Sequence, residues 1–319
     1  MVAGATLAEL CSLPWTFMGV PHSHDVGQAK AAVLGIPFDC GVHPFRIGTR
    51  QGPQAIRDQS RLMRPYNPEL ADFNPMKRLG LVDCGDVRLI PSKIVEAFES
   101  IEVAVGLILD RGVVPLTMGG DGSVSYPQLR AAGSRFPGLA VVHLDSHTDT
   151  TPPRPESEHN AGTQFYRAAS EGLIDPAASY HIGLRGTTYL PDGFARTKGL
   201  GYQLITCTEL IDRGIPTVLR ELQVALGGRP VYLCVDMDVF DPSCAPGVAA
   251  PSWGGLSARE GIDFIRGLSG LNIVLADLNT VSPPHDVNGM TAFLAAALMY
   301  EIQVLLCRFR GLDDPEISR

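Results

Sequence analysis

The sequence has no run of basic residues, and its 34 acidic residues outnumber its 26 basic ones, for a net charge of −8. A chain of this charge offers no stripe of lysine and arginine to a phosphate backbone. We therefore expect no nucleic-acid partner. Only 19% of the 319 residues are charged and 45% are hydrophobic. This balance excludes a disordered chain or a coiled coil and predicts a large buried core.

Signals for membrane insertion, secretion and disulfide bonding are also scarce. The longest apolar stretch, residues 291–307, is interrupted by Glu301 and Gln303, so we expect a buried helix and no membrane span. The first fifteen residues contain Glu9 and no basic flank, unlike a secretion signal. The seven cysteines are widely spaced without a C-x-x-C pair, which predicts free thiols. We expect a cytoplasmic protein.

What the sequence does contain is one recurring pattern: a short run of Val, Leu and Ile, a polar or glycine-rich turn, then a longer helical stretch. This alternation predicts a parallel sheet covered by helices on both faces. No linker or repeat divides the chain, so we predict one domain over residues 1–319. Strands are predicted at 31–37, 113–118, 139–144, 179–184, 202–206, 231–235 and 272–277. Helices are predicted at 52–60, 94–110, 126–136, 216–226, 258–268 and 291–306.

Polar residues follow the predicted strand 139–144. Asp145, His147 and Asp149 alternate there with Ser146 and Thr148. If the extended geometry continues, the two acids and the histidine project together while the two hydroxyl residues turn away. In open α/β sheets the ligand lies beyond the carboxyl ends of the strands. The three alternating residues are therefore candidate ligands.

Asp236 and Asp238 repeat the same spacing after a second apolar strand. Four carboxylates that converge on one imidazole repel one another unless a cation sits among them. Oxygen-rich sites with one nitrogen suit Mn²⁺, and Ni²⁺ and Co²⁺ have similar preferences. The alternative is a set of loop-capping acids beside a solvated histidine. The occurrence of both motifs after separate strands favours metal binding.

These motifs belong to four ordered blocks that resemble the ureohydrolase family, which includes arginase, agmatinase and the guanidino-acid hydrolases. The blocks are Gly119-Gly120-Asp121, Asp145-Ser146-His147-Thr148-Asp149, Asp236-Met237-Asp238 with Asp241-Pro242 and Ala245-Pro246-Gly247, and Ser282-Pro283-Pro284. Residues 45–50 resemble the N-terminal block of the family. The resemblance implies a three-layer α/β/α fold with a mostly parallel eight-stranded sheet, assembled as trimers or hexamers. It also implies a two-metal site that ionises a bridging water, whose hydroxide attacks a guanidinium carbon and releases urea and an amine.

Carried over residue by residue, the resemblance implies that one metal position is complete and the other is not. The implied metal ligands are Asp145, His147, Asp149, Asp236 and Asp238. The second metal keeps all of its ligands, whereas the first keeps Asp149 and the shared carboxylates. The histidine that binds the first metal in the family is replaced by Gly122, which cannot ligate. We expect Mn²⁺ or Ni²⁺ at one ion per chain or fewer.

Two further family positions are replaced, so no catalytic position implied by the resemblance is intact. Ala161 stands where agmatinase-type relatives carry a proton-shuttling histidine. Whether His159, two residues upstream, replaces it stays open. Thr280 stands where the family has a glutamate that pairs with the substrate guanidinium, and threonine cannot neutralise that charge. Asp149 could keep a residual role.

Together these losses favour a subunit that does not run the reaction alone and that co-assembles with an intact ureohydrolase paralogue. The chain resembles the accessory member of the heteromeric hydrolase that converts the biguanide metformin and water to guanylurea and dimethylamine. The alternative is an autonomous agmatinase-type or guanidino-acid hydrolase that uses one metal. Either way a small guanidine-type molecule is the expected ligand, and homo-oligomers and hetero-oligomers both stay open.

Overall fold

Eight strands in the described part of the chain form one sheet in which every neighbouring pair is parallel. The computed structural model describes residues 15–40, 45–70, 72–155, 157–188 and 191–313. The strands are β1 (Ala31–Gly35), β2 (Val82–Asp86), β3 (Val114–Met118), β4 (Ala140–Leu144), β5 (Tyr180–Leu184), β6 (Gln203–Thr206), β7 (Pro230–Asp236) and β8 (Asn272–Asn279). Their order across the sheet is β2-β1-β3-β8-β7-β4-β5-β6. The predicted eight-stranded α/β fold is confirmed.

Helices connect most of the strands, as parallel pairing requires. They are α1 (Gly52–Ser60), α2 (Pro75–Leu79), α3 (Ile94–Leu109), α4 (Ser125–Gly133), α5 (Gln164–Ser170), α6 (Gly193–Gly199), α7 (Cys207–Arg213), α8 (Ile215–Leu226), α9 (Ala258–Gly267) and α10 (Met290–Phe309). The predicted helices 52–60, 94–110, 216–226 and 258–268 match α1, α3, α8 and α9 to within one residue at each end.

The sheet separates two apolar clusters, one on each face. Because successive side chains in a strand point to opposite faces, Val142 packs into one cluster and its neighbour Val141 into the other. Tyr232 and Leu233 of β7 divide in the same way. All four side chains are fully buried or nearly so. This burial on both sides explains why the central strands read as continuous apolar runs in the sequence.

Helix α10 contains the longest apolar stretch of the chain. By length and composition it could cross a membrane, with 20 residues and a mean hydropathy of 1.7, but 83% of its most apolar window is buried inside the fold. The acid that interrupts it, Glu301, accepts hydrogen bonds from Arg266 of α9 at 2.8 and 3.1 Å. The stretch is therefore a buried core helix, as predicted.

Strand β2, at the edge of the sheet, was not predicted. Three of its five residues are Asp83, Gly85 and Asp86, types that are depleted in strands. The buried guanidinium of Arg57 holds them in place, since it lies 2.8 Å from Asp83 and 2.6 Å from Asp86 and also donates to the Gly85 carbonyl. Ion pairs with Arg57 of α1 thus stabilise β2, and the strand lacks the run of apolar residues by which the other strands are recognised.

Candidate metal centre

The candidate centre forms where β4 and β7 end side by side. Leu144, the last residue of β4, is paired with Val235 of β7. Asp145 follows β4 directly and Asp236 ends β7, so the two acidic motifs meet at one edge of the sheet. Strand β8 lies on the other side of β7 and pairs Asn279 with Asp236, which places Thr280 at the same edge.

Asp145, His147 and Asp238 form a compact group. One donor atom from each lies within 4.8 Å of the other two. The Nδ1 atom of His147 is 3.2 Å from Oδ1 of Asp145 and 3.2 Å from Oδ2 of Asp238. Both carboxylates are buried, whereas 35% of the histidine side chain is exposed. Two carboxylates and one accessible imidazole form a donor set that fits a divalent transition metal.

Ser146 also belongs to the centre, which corrects one expectation from the sequence. Its backbone N–H and its hydroxyl donate to Oδ1 of Asp238 at 3.0 and 2.7 Å. The extended geometry ends with Leu144, so the strict alternation of sides does not continue and Ser146 does not turn away. Its two hydrogen bonds orient Asp238 toward His147.

A second group consists of His143, Asp145 and Asp149, with donor atoms again within 4.8 Å of one another. His143 was not predicted, because it lies inside β4, where it reads as part of an apolar run. Its Nε2 lies 3.0 Å from Oδ2 of Asp145, although that oxygen has no well-formed hydrogen bond in the described part of the chain. On its other side, Nδ1 of His143 is 2.8 Å from Nδ1 of His181. The two positions 143 and 145 share one face by the strand period of two, which is the signal that could have found His143.

Asp236 is buried beside these groups but joins neither of them. Its Oδ1 accepts a hydrogen bond from the backbone N–H of Asp238 at 2.8 Å and one from the hydroxyl of Thr280. Thr280 has a positive φ of 66°, and its N–H donates to the carbonyl of Gly120 at 2.7 Å. Thr280, where the resemblance implies a glutamate in the family, therefore already bonds to Asp236.

Electrostatics at the centre disfavour the charged form of several of its carboxyl groups. Burial, together with the negative charge of the neighbouring Asp238, raises the pKa of Asp145 to about 7. Burial and nearby carboxylates raise the pKa values of Asp149 and Asp236 well above the ordinary range. Burial opposes the charge on His147, but the adjacent acids outweigh it and raise its pKa. These carboxyl groups resist ionising together, and a bound cation removes that resistance.

Gly122 faces this centre, at the first residue of the short 3₁₀ turn Gly122–Val124. A Cβ built at position 122 lies 3.4 Å from Oδ2 of Asp149, 3.4 Å from the carbonyl of Ala161 and 3.0 Å from Nε2 of Gln164. A longer side chain here would reach Asp149, whereas glycine supplies no ligand. The carboxyl group of Asp149 and the carbonyl of Ala161 thus both lie beside Gly122, and neither Gly122 nor Ala161 carries a polar side chain.

His159 makes its contacts elsewhere. Its Nδ1 lies 2.6 Å from a guanidinium nitrogen of Arg167, and its ring packs against Phe98 and Tyr126 at centroid distances of 5.1 and 6.3 Å. Burial and the charge of Arg167 lower its pKa. In this conformation the His159 ring contacts Arg167, Phe98 and Tyr126, and these contacts direct it away from the carboxyl groups of the candidate centre.

Arg185 is a positioning residue that the sequence did not reveal as such. Its guanidinium donates to the carbonyls of Asp238, Phe240 and Ser252 at 2.7, 3.0 and 2.8 Å. The arginine thereby ties the end of β5 to the loop that carries Asp238. The hydrogen bonds of Arg185 in the described part of the chain go to backbone carbonyls. Because no charged side chain is involved, the sequence shows no partner from which this positioning role could be predicted.

A model of the arginase family matches residues 29–304. The chain belongs to the arginase family. It is 35% identical to the guanidinopropionase of Pseudomonas aeruginosa over 303 residues, 95% of this chain and 94% of that protein. It is 36% identical to the mitochondrial agmatinase of Gallus gallus, with 95% and 86% of the two chains covered.

Solved structures of this family confirm the fold. The proclavaminate amidino hydrolase of Streptomyces clavuligerus superposes with a TM-score of 0.89 at 34% identity, covering 93% of this chain and 98% of that one. The formiminoglutamase of Trypanosoma cruzi, solved with Mn²⁺, gives a TM-score of 0.82 at 26% identity, with 92% and 98% covered. The family resemblance read from the four sequence blocks is therefore confirmed.

Proposed function

We propose that this arginase-family chain is a non-catalytic or weakly catalytic subunit that co-assembles with an intact paralogue in a mixed trimer or hexamer. The assembly hydrolyses a guanidine or biguanide; for metformin the products are guanylurea and dimethylamine. The observation that carries the proposal is Gly122, which lies against Asp149 and has no side chain with which to bind an ion. One of the two ion positions of the family thus lacks its nitrogen ligand.

Thr280 supports the same proposal from the substrate side. A cationic guanidinium needs a negative partner, and a hydrogen bond that involves a charge contributes about 1.5–3 kcal/mol. The Thr280 hydroxyl carries no charge, and it already donates to Asp236. Binding of a guanidinium at this position is therefore weaker than binding to a carboxylate.

The residues that remain suit one ion. Asp145, His147 and Asp238 would hold Mn²⁺ or Ni²⁺, with Ser146 orienting Asp238 through two hydrogen bonds. A divalent ion bound there supplies positive charge that favours ionisation of water. What this chain lacks around such an ion is a histidine at position 161 to move a proton and a carboxylate at position 280 to hold the substrate.

The test is co-expression with an intact arginase-family gene, followed by native mass measurement. We expect a mixed trimer or hexamer whose activity disappears when the partner's Asp-x-Asp pair is changed to asparagine. The matched variant of this chain, Asp236→Asn with Asp238→Asn, is expected to keep at least about half of the activity. Separate homo-oligomers, or a mixed assembly silenced by the change in this chain, contradict the proposal.

A second candidate is an autonomous hydrolase that uses one ion on a neutral or bulkier substrate. It is favoured by the compact Asp145, His147 and Asp238 group, which keeps an accessible imidazole. This candidate requires the isolated chain to bind metal and to turn over substrate without a partner. If saturating Mn²⁺ or Ni²⁺ leaves less than about half an equivalent per chain, the candidate fails.

A further inference from the structure

Gln164, the first residue of α5, is buried beside Asp149 with only 2% of its surface exposed. Its side-chain N–H donates a hydrogen bond to Oδ2 of Asp149. Its amide oxygen has no hydrogen-bond partner among the described residues. A buried amide normally has both of its polar atoms bonded, so this half-satisfied side chain needs an explanation.

The backbone holds Gln164 against Asp149. The N–H of the next residue, Phe165, donates to the Asp149 carbonyl at 3.1 Å. The ring of Phe165 packs against His143 at a centroid distance of 4.3 Å. The start of α5 is therefore tied to two residues of the second donor group, which keeps residue 164 next to Asp149.

The amide also takes up the space beside Gly122. Its nitrogen lies 3.0 Å from the point where a Cβ at position 122 would stand, nearer than any other atom. In the structure the amide nitrogen faces the carboxyl group, and its N–H donates to Oδ2 of Asp149. The amide N–H of Gln164 places a partial positive charge at Oδ2 of Asp149, as a bound cation would. It also occupies the space beside Gly122 through which a cation would reach that oxygen.

We propose that Gln164 closes the ion position formed by His143, Asp145 and Asp149. Its amide N–H takes the place of a cation at Asp149, so the chain binds one ion at Asp145, His147 and Asp238 and none at His143, Asp145 and Asp149. Gln164 is thus a residue that sets the number of ions. The inference concerns the isolated chain and stands apart from the proposed assembly with a paralogue.

The test counts Mn²⁺ per chain by equilibrium dialysis with elemental analysis, and reads ion pairing by electron paramagnetic resonance. Wild type is expected to bind about one ion and to give an isolated-ion spectrum. Gln164→Glu removes the donor and adds a carboxylate of the same shape, so we expect about two ions and a spin-coupled spectrum. Gln164→Ala frees Asp149 without adding a ligand, so we expect a second ion bound at least about tenfold more weakly than the first.

Asn160→Asp is the matched control. It makes the same amide-to-acid change on the preceding loop, where Oδ1 of Asn160 accepts from the Gly162 N–H and its amide nitrogen donates to the Ser157 carbonyl. We expect it to bind about one ion, like wild type. The inference is overturned if wild type binds two ions with similar affinity, or if Gln164→Ala, folded as judged by its melting temperature, binds no second ion. Activity with or without a paralogue does not enter this readout.

Discussion

His147 is the one nitrogen donor among the ligands that the sequence predicted, and part of its ring is exposed while the two acids beside it are buried. An ion could therefore reach the group formed by Asp145, His147 and Asp238 from solvent, along the exposed side of the imidazole ring. Without the imidazole, the remaining donors of this group are the carboxylate oxygens of Asp145 and Asp238. Carboxylate oxygens favour harder metals such as Mg²⁺ and Ca²⁺. We therefore expect His147 to favour binding of a transition metal over Mg²⁺ and Ca²⁺.

We predict that His147→Ala weakens Mn²⁺ binding by at least about tenfold. The measurement is the rise in melting temperature as Mn²⁺ is titrated, since a ligand that binds only the folded state stabilises it. His159→Ala is the matched control, because His159 contacts Arg167 and aromatic rings. Equal titration curves for the two variants would show that His147 is not a ligand.

Thr280 stabilises the centre without a metal. Its hydroxyl donates to Asp236 and accepts from the N–H of Met237 at 3.2 Å. Thr280→Val keeps the branched shape, so the strain at its positive φ is unchanged while both hydrogen bonds are lost. We predict a decrease of about 1–3 kcal/mol in the free energy of unfolding, measured in urea without added metal.

The matched variant, Thr280→Ser, keeps the hydroxyl. It should cost much less than the valine variant, because both hydrogen bonds can still form. Equal losses in the two variants would mean that shape at position 280, and not the hydroxyl, supports the Asp236 carboxyl group.

Candidate ligands that directly follow a strand could be picked out from the sequence, whereas the residues that surround them from other segments could not. Asp145, His147 and Asp238 stand out by spacing alone. Gln164 meets Asp149 only because α5 folds back onto the end of β4, and Arg185 binds carbonyls, which leave no trace in a sequence. Contacts of this kind depend on tertiary structure.

At the scale of elements, the turn after β3 depends on a close approach of two backbones. A Cβ at Gly120 would lie 1.6 Å from the carbonyl oxygen of Phe38. The Gly120 carbonyl accepts the hydrogen bond from the N–H of Thr280. A side chain here would therefore push apart β1, β3 and β8 at the edge where the metal ligands lie.

We predict that Gly120→Ala lowers the free energy of unfolding by at least about 3 kcal/mol, measured by thermal or chemical unfolding. Gly199→Ala is the control, since Gly199 ends α6 and has no neighbouring atom within 4 Å of an added Cβ. That change should be neutral or stabilising by up to about 1 kcal/mol. Similar stability of the two variants would contradict the close approach.

The loop between β7 and α9 is held by Asp241. Hydrogen bonds from Ser243, and from the backbone of Ser243, Gly254 and Gly255, lower the pKa of Asp241. A carboxylate with a lowered pKa in the folded state stabilises above its unfolded pKa of about 3.9, and that contribution disappears as the pH falls through the folded value. The loop is therefore tightest at neutral pH.

We predict that Asp241→Asn lowers the melting temperature at pH 7 and that the difference from wild type shrinks as the pH falls below about 4. A difference that is constant between pH 7 and pH 3 would show that the charge on Asp241 does not hold the loop.

Most strands were predictable because burial on both faces makes them continuous apolar runs. Strand β2 was not, since an edge strand with Asp83 and Asp86 depends on Arg57 of α1 for its place. The short helices α2, α5, α6 and α7 were also missed. Each has five or seven residues, too few for a helical period to be recognised against the surrounding turns.

At the scale of the whole molecule, the residues that form the core are different from those that form the candidate site. The core lies in the two apolar clusters on either side of the sheet, and the altered positions Gly122, Ala161 and Thr280 lie outside both. The fold can therefore match that of a relative at a TM-score of 0.89 whatever side chains stand at these three positions. Assembly with a paralogue remains a prediction of this account.

The most direct test of the proposed function is the turnover of the purified chain alone, saturated with Mn²⁺ or Ni²⁺. Release of urea from agmatine and guanidinobutyrate, and of dimethylamine from metformin, would be followed. The account predicts rates at least about 100-fold below 1 s⁻¹, the lower end of ordinary enzyme rates, with turnover appearing only when an intact paralogue is added. Turnover of any of these compounds at or above about 1 s⁻¹ by the isolated chain would contradict it.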